Sequence, residues 1–258
     1  MKFVTGAGTV RNKLPGCKQT GYLAPAPRIE PVDSLSAVSY ILTSTLAAAS
    51  PDVFVIGKAK ISIVIPDGYC PLDYSQSSDN RVLTKFDNQA KGKHRRLDFM
   101  VNCEQLREWR NGDLLTFNDF GYILIPEASV DEESDEALDV FLNGMVSEIG
   151  YNGKNIISHR GKGYLETHIE EAVKELETRR RVDLGLIHRD NFALYTASLN
   201  RITTEAGQEK LLGKVTAITQ VSGKPLFFYW FRGLDHLNTI RGIEADLREW
   251  VASVHEVN

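Results

Sequence analysis

LLGKVTAITQVSGKPLFFYWF, Leu211 to Phe231, reads as two extended segments joined by the tight-turn signal Ser222-Gly223-Lys224. Phe227 to Phe231 is apolar on both alternating faces, so that strand needs cover on each side and belongs in the middle of a sheet. Extended segments over Val182 to Ile187 and Phe192 to Leu199 precede it, giving four consecutive antiparallel strands. The closing segment carries Leu237, Ile240, Ile243, Leu247, Trp250, Val251 and Val254 at helical spacing, which predicts an amphipathic helix laid on that sheet.

Upstream the same reading gives a mixed pattern. Val53 to Ile65 is rich in β-branched residues and ends at Pro66-Asp67-Gly68, which predicts one strand and a turn. Val82, Leu83 and Phe86 predict a helix, Leu97 to Val101 a strand, Glu104 to Arg110 a short helix with Leu106 and Trp109 on one side, and Gly121 to Ile125 another strand. Ser129 and Glu132 have capping-box spacing ahead of Leu138, Phe141, Leu142, Met145 and Ile149, so a helix is expected to start there. Leu165, Ile169, Ala172, Val173 and Leu176 form a further helical stripe, with His168 at its edge. The expected fold class is α+β, a mainly antiparallel sheet with helices on both faces in an α/β/α sandwich.

The first fifty residues read differently. Residues 1–33 contain Pro15, Gly16, Pro25, Pro27 and Pro31 without sustained periodicity and read as a leader. Residues 34–50, SLSAVSYILTSTLAAAS, form an apolar stretch of export-signal length ending in Ala47, Ala48 and Ala49. Residues 51–258 are then a single domain, and the expected location is periplasmic or secreted, with a cytoplasmic protein carrying a core helix at 34–49 as the alternative. The apolar part falls short of the roughly 20 residues a spanning helix needs. No stable membrane span is therefore expected once the segment is cleaved.

Net charge is −4, and the basic residues of the leader mask a more acidic body, which argues against nonspecific nucleic-acid binding. Cys70 and Cys103 are the cysteines that follow the apolar segment, with neither CxxC spacing nor paired histidines, so a disulfide is expected and no metal. A bridge between them closes a loop of about 34 residues. It would fasten the end of the first strand to the start of the Glu104 helix.

Catalytic signatures do not assemble. Asp119-Phe120-Gly121 and His188-Arg189-Asp190 match two protein-kinase fragments, but in reversed order, and Tyr195 stands where the catalytic loop needs Asn. FVTGAGTV at the start lacks the helix a dinucleotide-binding turn requires, because Pro15 and Gly16 follow. None of the six Gly-Lys pairs is followed by Ser or Thr, as a P-loop demands. No cofactor is expected. The candidate binding residues are a loop after the first strand (Asp67, Tyr69, Asp73, Tyr74) and a basic group, Lys93, His94, Arg95 and Arg96 with Arg160, that could hold an anion or a partner.

The strand-turn IVIPDGY, the Gly223-Lys224 hairpin, the aromatic strand FFYWF and the closing segment TIRGIEADLREWVASVHEVN resemble the PsbP-like and DcrB-like group of exported α/β/α sandwich proteins. The IPDGYC strand end, with a second cysteine ahead of Trp109, is also similar to bacterial secreted proteins. The resemblance implies a noncatalytic, partner-binding module associated with an envelope protein; an exported enzyme or small-ligand binder is the alternative.

Overall fold

The computed structural model describes residues 51–152, 164–204 and 207–258. The leader, the apolar segment 34–50 and Arg160 lie outside them. Strands β6 (Arg181–Arg189), β7 (Leu194–Thr203), β8 (Glu209–Val221) and β9 (Lys224–Gly233) form the expected antiparallel meander. Strand β5 (Asp119–Pro126) pairs with β9, β4 (His94–Asn102) with β5, and β3 (Tyr69–Pro71) with β4. The sheet order is β3-β4-β5-β9-β8-β7-β6, which places the aromatic strand fourth of seven.

Alternation on β9 sorts the two faces. Lys224, Leu226, Phe228 and Trp230 are buried on one, beneath α5 (Thr239–Glu256), where Trp250 meets Phe228 and Trp230 edge-on at 4.9 and 5.7 Å between ring centroids. Gly121 lies directly opposite Trp230, and a Cβ there would come within 2.9 Å of the Met100 methyl and the Tyr229 carbonyl. Glycine is thus what lets Trp230 and Trp250 sit so close to β5. Helix α4 (Tyr164–Glu175) contributes Leu165, Ile169 and Ala172 to the same core.

Where one strand was expected over Val53 to Ile65, a hairpin forms, β1 (Asp52–Ile56) and β2 (Ala59–Ile63), turning at Gly57 with φ 59°. Its Ile56, Ile61 and Ile63 are fully buried in the α5-side core. Trp250 Nε1 donates to the Val64 carbonyl at 2.6 Å, fixing the exit of the hairpin.

On the opposite face, α1 (Ser77–Ala90) and α2 (Cys103–Asn111) cover β4 through Leu83 and Leu106, and α3 (Leu138–Asn152) covers β6 to β9 through Leu142. Asn102 caps α2 by accepting from the Glu104 and Gln105 amides. Cys70 on β3 and Cys103 at the start of α2 form a disulfide. It fastens the edge strand β3 to that helix.

Helix α3 begins eight residues later than the Ser129 signal suggests, and Lys224 explains why. This lysine is 1% exposed, and its Nζ donates to the carbonyls of Ser129, Val130 and Glu132, the first two at 3.3 and 3.0 Å. Carbonyls turned inward onto Lys224 are not free to accept intrahelical bonds, so Glu127–Ser129 makes only a short 3-10 turn and residues 130–137 stay non-helical.

Two outcomes follow from these contacts. Lys224→Met should destabilise the fold by about 3 kcal/mol in chemical denaturation, because three buried carbonyls lose their donor. Cys70→Ser and Cys103→Ser should each lower stability by a similar amount, about 3 kcal/mol, under oxidising conditions.

Candidate functional site

The half-sheet opposite α5 carries a floor of rings. Phe120 stacks between Phe99 and Phe231 at centroid distances of 5.8 and 4.8 Å, and Tyr122 lies 4.8 Å from Tyr229. Phe86 of α1 closes one side, 4.6 Å from Tyr122, and Trp109 with Phe117 closes another, their rings 5.1 Å apart. Between them opens a cleft of about 690 Å³. That is within the size range of ligand sites, and its lining is mainly aromatic and aliphatic. Leu115, on the loop after α2, stands at the mouth and is 70% exposed; the exposed Arg81 and Lys85 of α1 complete the rim.

Lys214 on β8 extends this floor. It pairs in register with Phe231 on one side and Ser198 on the other, and its ammonium lies 5.4 Å from the Tyr229 ring centre. Burial, reinforced by the nearby Arg181, pushes its pKa down to about 8. Burial raises the pKa of both Tyr122 and Tyr229, so these phenols stay neutral beside it.

The four loop residues singled out by sequence do not converge. Tyr69 faces α5, where its hydroxyl accepts from Arg232 at 3.1 Å; burial and Asp119 raise its pKa. Tyr74 is on the α1 side, donating to Asp87, while Asp73 binds the Ser75 amide and hydroxyl in a local turn and Asp67 is exposed. The basic group is likewise divided. Arg96 is held by Asp87 at 2.8 Å, His94 lies 6.2 Å from Phe227, Arg95 is exposed and pairs with Ile125 on the other face, and the Lys93 carbonyl accepts from Glu127. Strand alternation separates Arg95 from Arg96, so no single patch results.

Other charged groups are spoken for. Arg232 bonds Asp119 and Asp246, both at 2.9 Å, and Trp230 Nε1 donates to Asp119 at 2.9 Å, above a polar cleft of about 620 Å³ that includes Asn118 and Lys210. Asp79, fully buried, is paired with Arg110. In the two kinase-like fragments, Asp119 makes the bonds just described and Asp190 accepts from the Phe192 and Ala193 amides and the Tyr195 hydroxyl. Each is a fold contact. Among the described residues there is no cluster of His, Cys, Asp and Glu able to hold a metal ion, and no helix long and apolar enough to cross a membrane.

No motif in the sequence marks the cleft. Its signal is the run of alternating aromatics Phe120, Tyr122, Phe227, Tyr229 and Phe231, which marks a face to be covered but does not say how completely.

The fold is therefore α+β, a seven-stranded antiparallel sheet with helices packed on it. No protein-family model and no curated protein matches the chain. A solved structure that matches is the 1.9 Å crystal structure of the Saccharomyces cerevisiae Ran-binding protein Mog1p, at 11% identity over 80% of this chain and 90% of that one, with a TM-score of 0.27. The expected periplasmic or secreted location is corrected here and withdrawn, because the segment 34–50 on which it rested lies outside the described residues.

Asp98 supplies a test of the polar interior. It sits at the β-bulge of β4, 8% exposed, with Oδ1 accepting from the Phe99 amide and Oδ2 without a partner. Burial raises its pKa, so the folded state favours the protonated acid, and Asp98 costs stability once pH rises through its folded pKa. Asp98→Asn should therefore raise stability at pH 7. The gain should shrink as pH is lowered toward about 4, read by denaturant titration.

Proposed function

We propose that the protein is a noncatalytic binding module whose aromatic cleft receives an apolar segment of a protein partner. The carrying observation is the cleft itself: about 690 Å³ bounded by Phe86, Phe99, Trp109, Phe117, Phe120 and Phe231, with Leu115 exposed at its mouth. Aromatic rings preorganised in a concave site bury large area at low entropic cost, which is the composition of binding hot spots. The charge of the rim supports a protein segment bearing acidic residues, since Arg81 and Lys85 flank the opening. Noncatalytic action is supported by the engagement of Asp79, Asp119 and Asp190 in ion pairs and turns. The resemblance to PsbP-like and DcrB-like proteins supports the same reading, as a partner-binding fold.

The test is site-specific photo-crosslinking. Benzoylphenylalanine at position 115, at the mouth, should give a discrete adduct in cells that express the protein, and the apolar probe N-phenyl-1-naphthylamine should suppress it. The same group at Val257, exposed beyond the end of α5, should give none. An adduct of equal yield at both positions, or one indifferent to the probe, would sink the reading.

A further inference from the structure

We propose that Lys214 is the anion-recognising residue of the aromatic cleft, so that the partner segment places a carboxylate side chain beside its apolar anchor. The inference rests on the cleft reading above and adds the chemistry of what binds. Lys214 continues the row Phe120, Phe231, Lys214, Ser198 across the sheet, so it stands next to Phe231, whose ring lines the cleft, without lining the cleft itself. It is half-buried, yet among the described residues it has no carboxylate within ion-pair distance and no hydrogen-bond acceptor; its contact there is the Tyr229 ring at 5.4 Å.

Among the described residues, the neighbouring charges leave it unsatisfied. Asp183 on β6 attracts it, but Asp183 is held by Arg181, whose Nε donates to it at 2.8 Å, and Arg181 itself repels the lysine. Tyr122 and Tyr229 are neutral, and Lys210 on the same strand is committed to Asn118 at 2.9 Å. Compare Lys224, buried deeper on the other face but supplied with three carbonyls. A desolvated ammonium without a partner destabilises the free protein, and an arriving carboxylate would relieve that cost while excluding a cationic or neutral competitor.

Two probes with the same aromatic body separate the claims. N-phenyl-1-naphthylamine is neutral, and 1-anilinonaphthalene-8-sulfonate adds an anion that stands in for the carboxylate. The quantity read by fluorescence titration is the ratio of their affinities. In the wild type the sulfonate should bind about tenfold tighter at pH 7, as expected for one charge-assisted contact. The ratio should fall as pH rises past about 8, where free Lys214 loses its proton. Lys214→Met should bring the ratio to about one, whereas Lys214→Arg, which stays protonated, should keep it at pH 10. Lys58→Met, an exposed lysine on the β1–β2 turn, is the control and should change nothing. A preference that survives in Lys214→Met assigns selectivity to the Arg81 and Lys85 rim and overturns the inference while leaving the cleft reading intact. Failure of the neutral probe to bind overturns both.

Discussion

One strand that is apolar on both faces sets the terms for the molecule. Strand β9 offers Leu226, Phe228 and Trp230 to one side and Phe227, Tyr229 and Phe231 to the other. It can be stable only in the interior of a sheet with cover above and below. The α5 face is covered completely: Phe228 and Trp230 are at most 1% exposed, and Trp250 seals them. The second face has to be shared among α1, α2 and α3, with α1 and α2 at one end and α3 at the other. What they leave uncovered is the aromatic cleft, so the site is a consequence of how three helices divide one apolar surface.

The disposition of buried charge follows a related economy. Lys224 organises the chain around itself, drawing three carbonyls inward and delaying α3. Arg232, Asp119, Tyr69 and Trp230 form a connected network at the end of the sheet, and Asp79 is matched by Arg110. Against that background Asp98 and Lys214 stand out. Among the described residues both lack a full set of partners; Asp98 sits at a bulge against the core, while Lys214 stands in register with Phe231, a ring that lines the cleft. On the proposed reading, position relative to the cleft is what would separate a structural cost from a recognition group.

Much of this architecture is legible in the residues themselves. The period-two runs from Val182 to Phe231 and the Ser222-Gly223 turn give the meander, because strand alternation and turn conformation are local properties. Helix α5 is equally plain from Ile240 to Val254. The Ser129 capping signal misleads because the donor that captures those carbonyls, Lys224, is distant in the chain. Val53 to Ile65 reads as one strand because Gly57-Lys58 is a weak punctuation until Gly57 is seen at positive φ. The candidate basic cluster dissolves for a simpler reason: neighbours on a strand point to opposite faces, and Asp87 was already placed to take Arg96. The cleft and the isolation of Lys214 depend on register and on partial cover, neither of which a single sequence encodes locally.

The uncovered aromatic half-face is the surface proposed to bind a partner. Its role is tested most directly by recording aromatic and methyl NMR spectra of the oxidised protein while N-phenyl-1-naphthylamine is added. Shifts should concentrate on Phe86, Phe99, Leu115, Phe120 and Phe231, with the α5-side residues Phe228, Trp230 and Val251 unmoved. Shifts centred on the α5 side, or spread evenly over both faces, would contradict it.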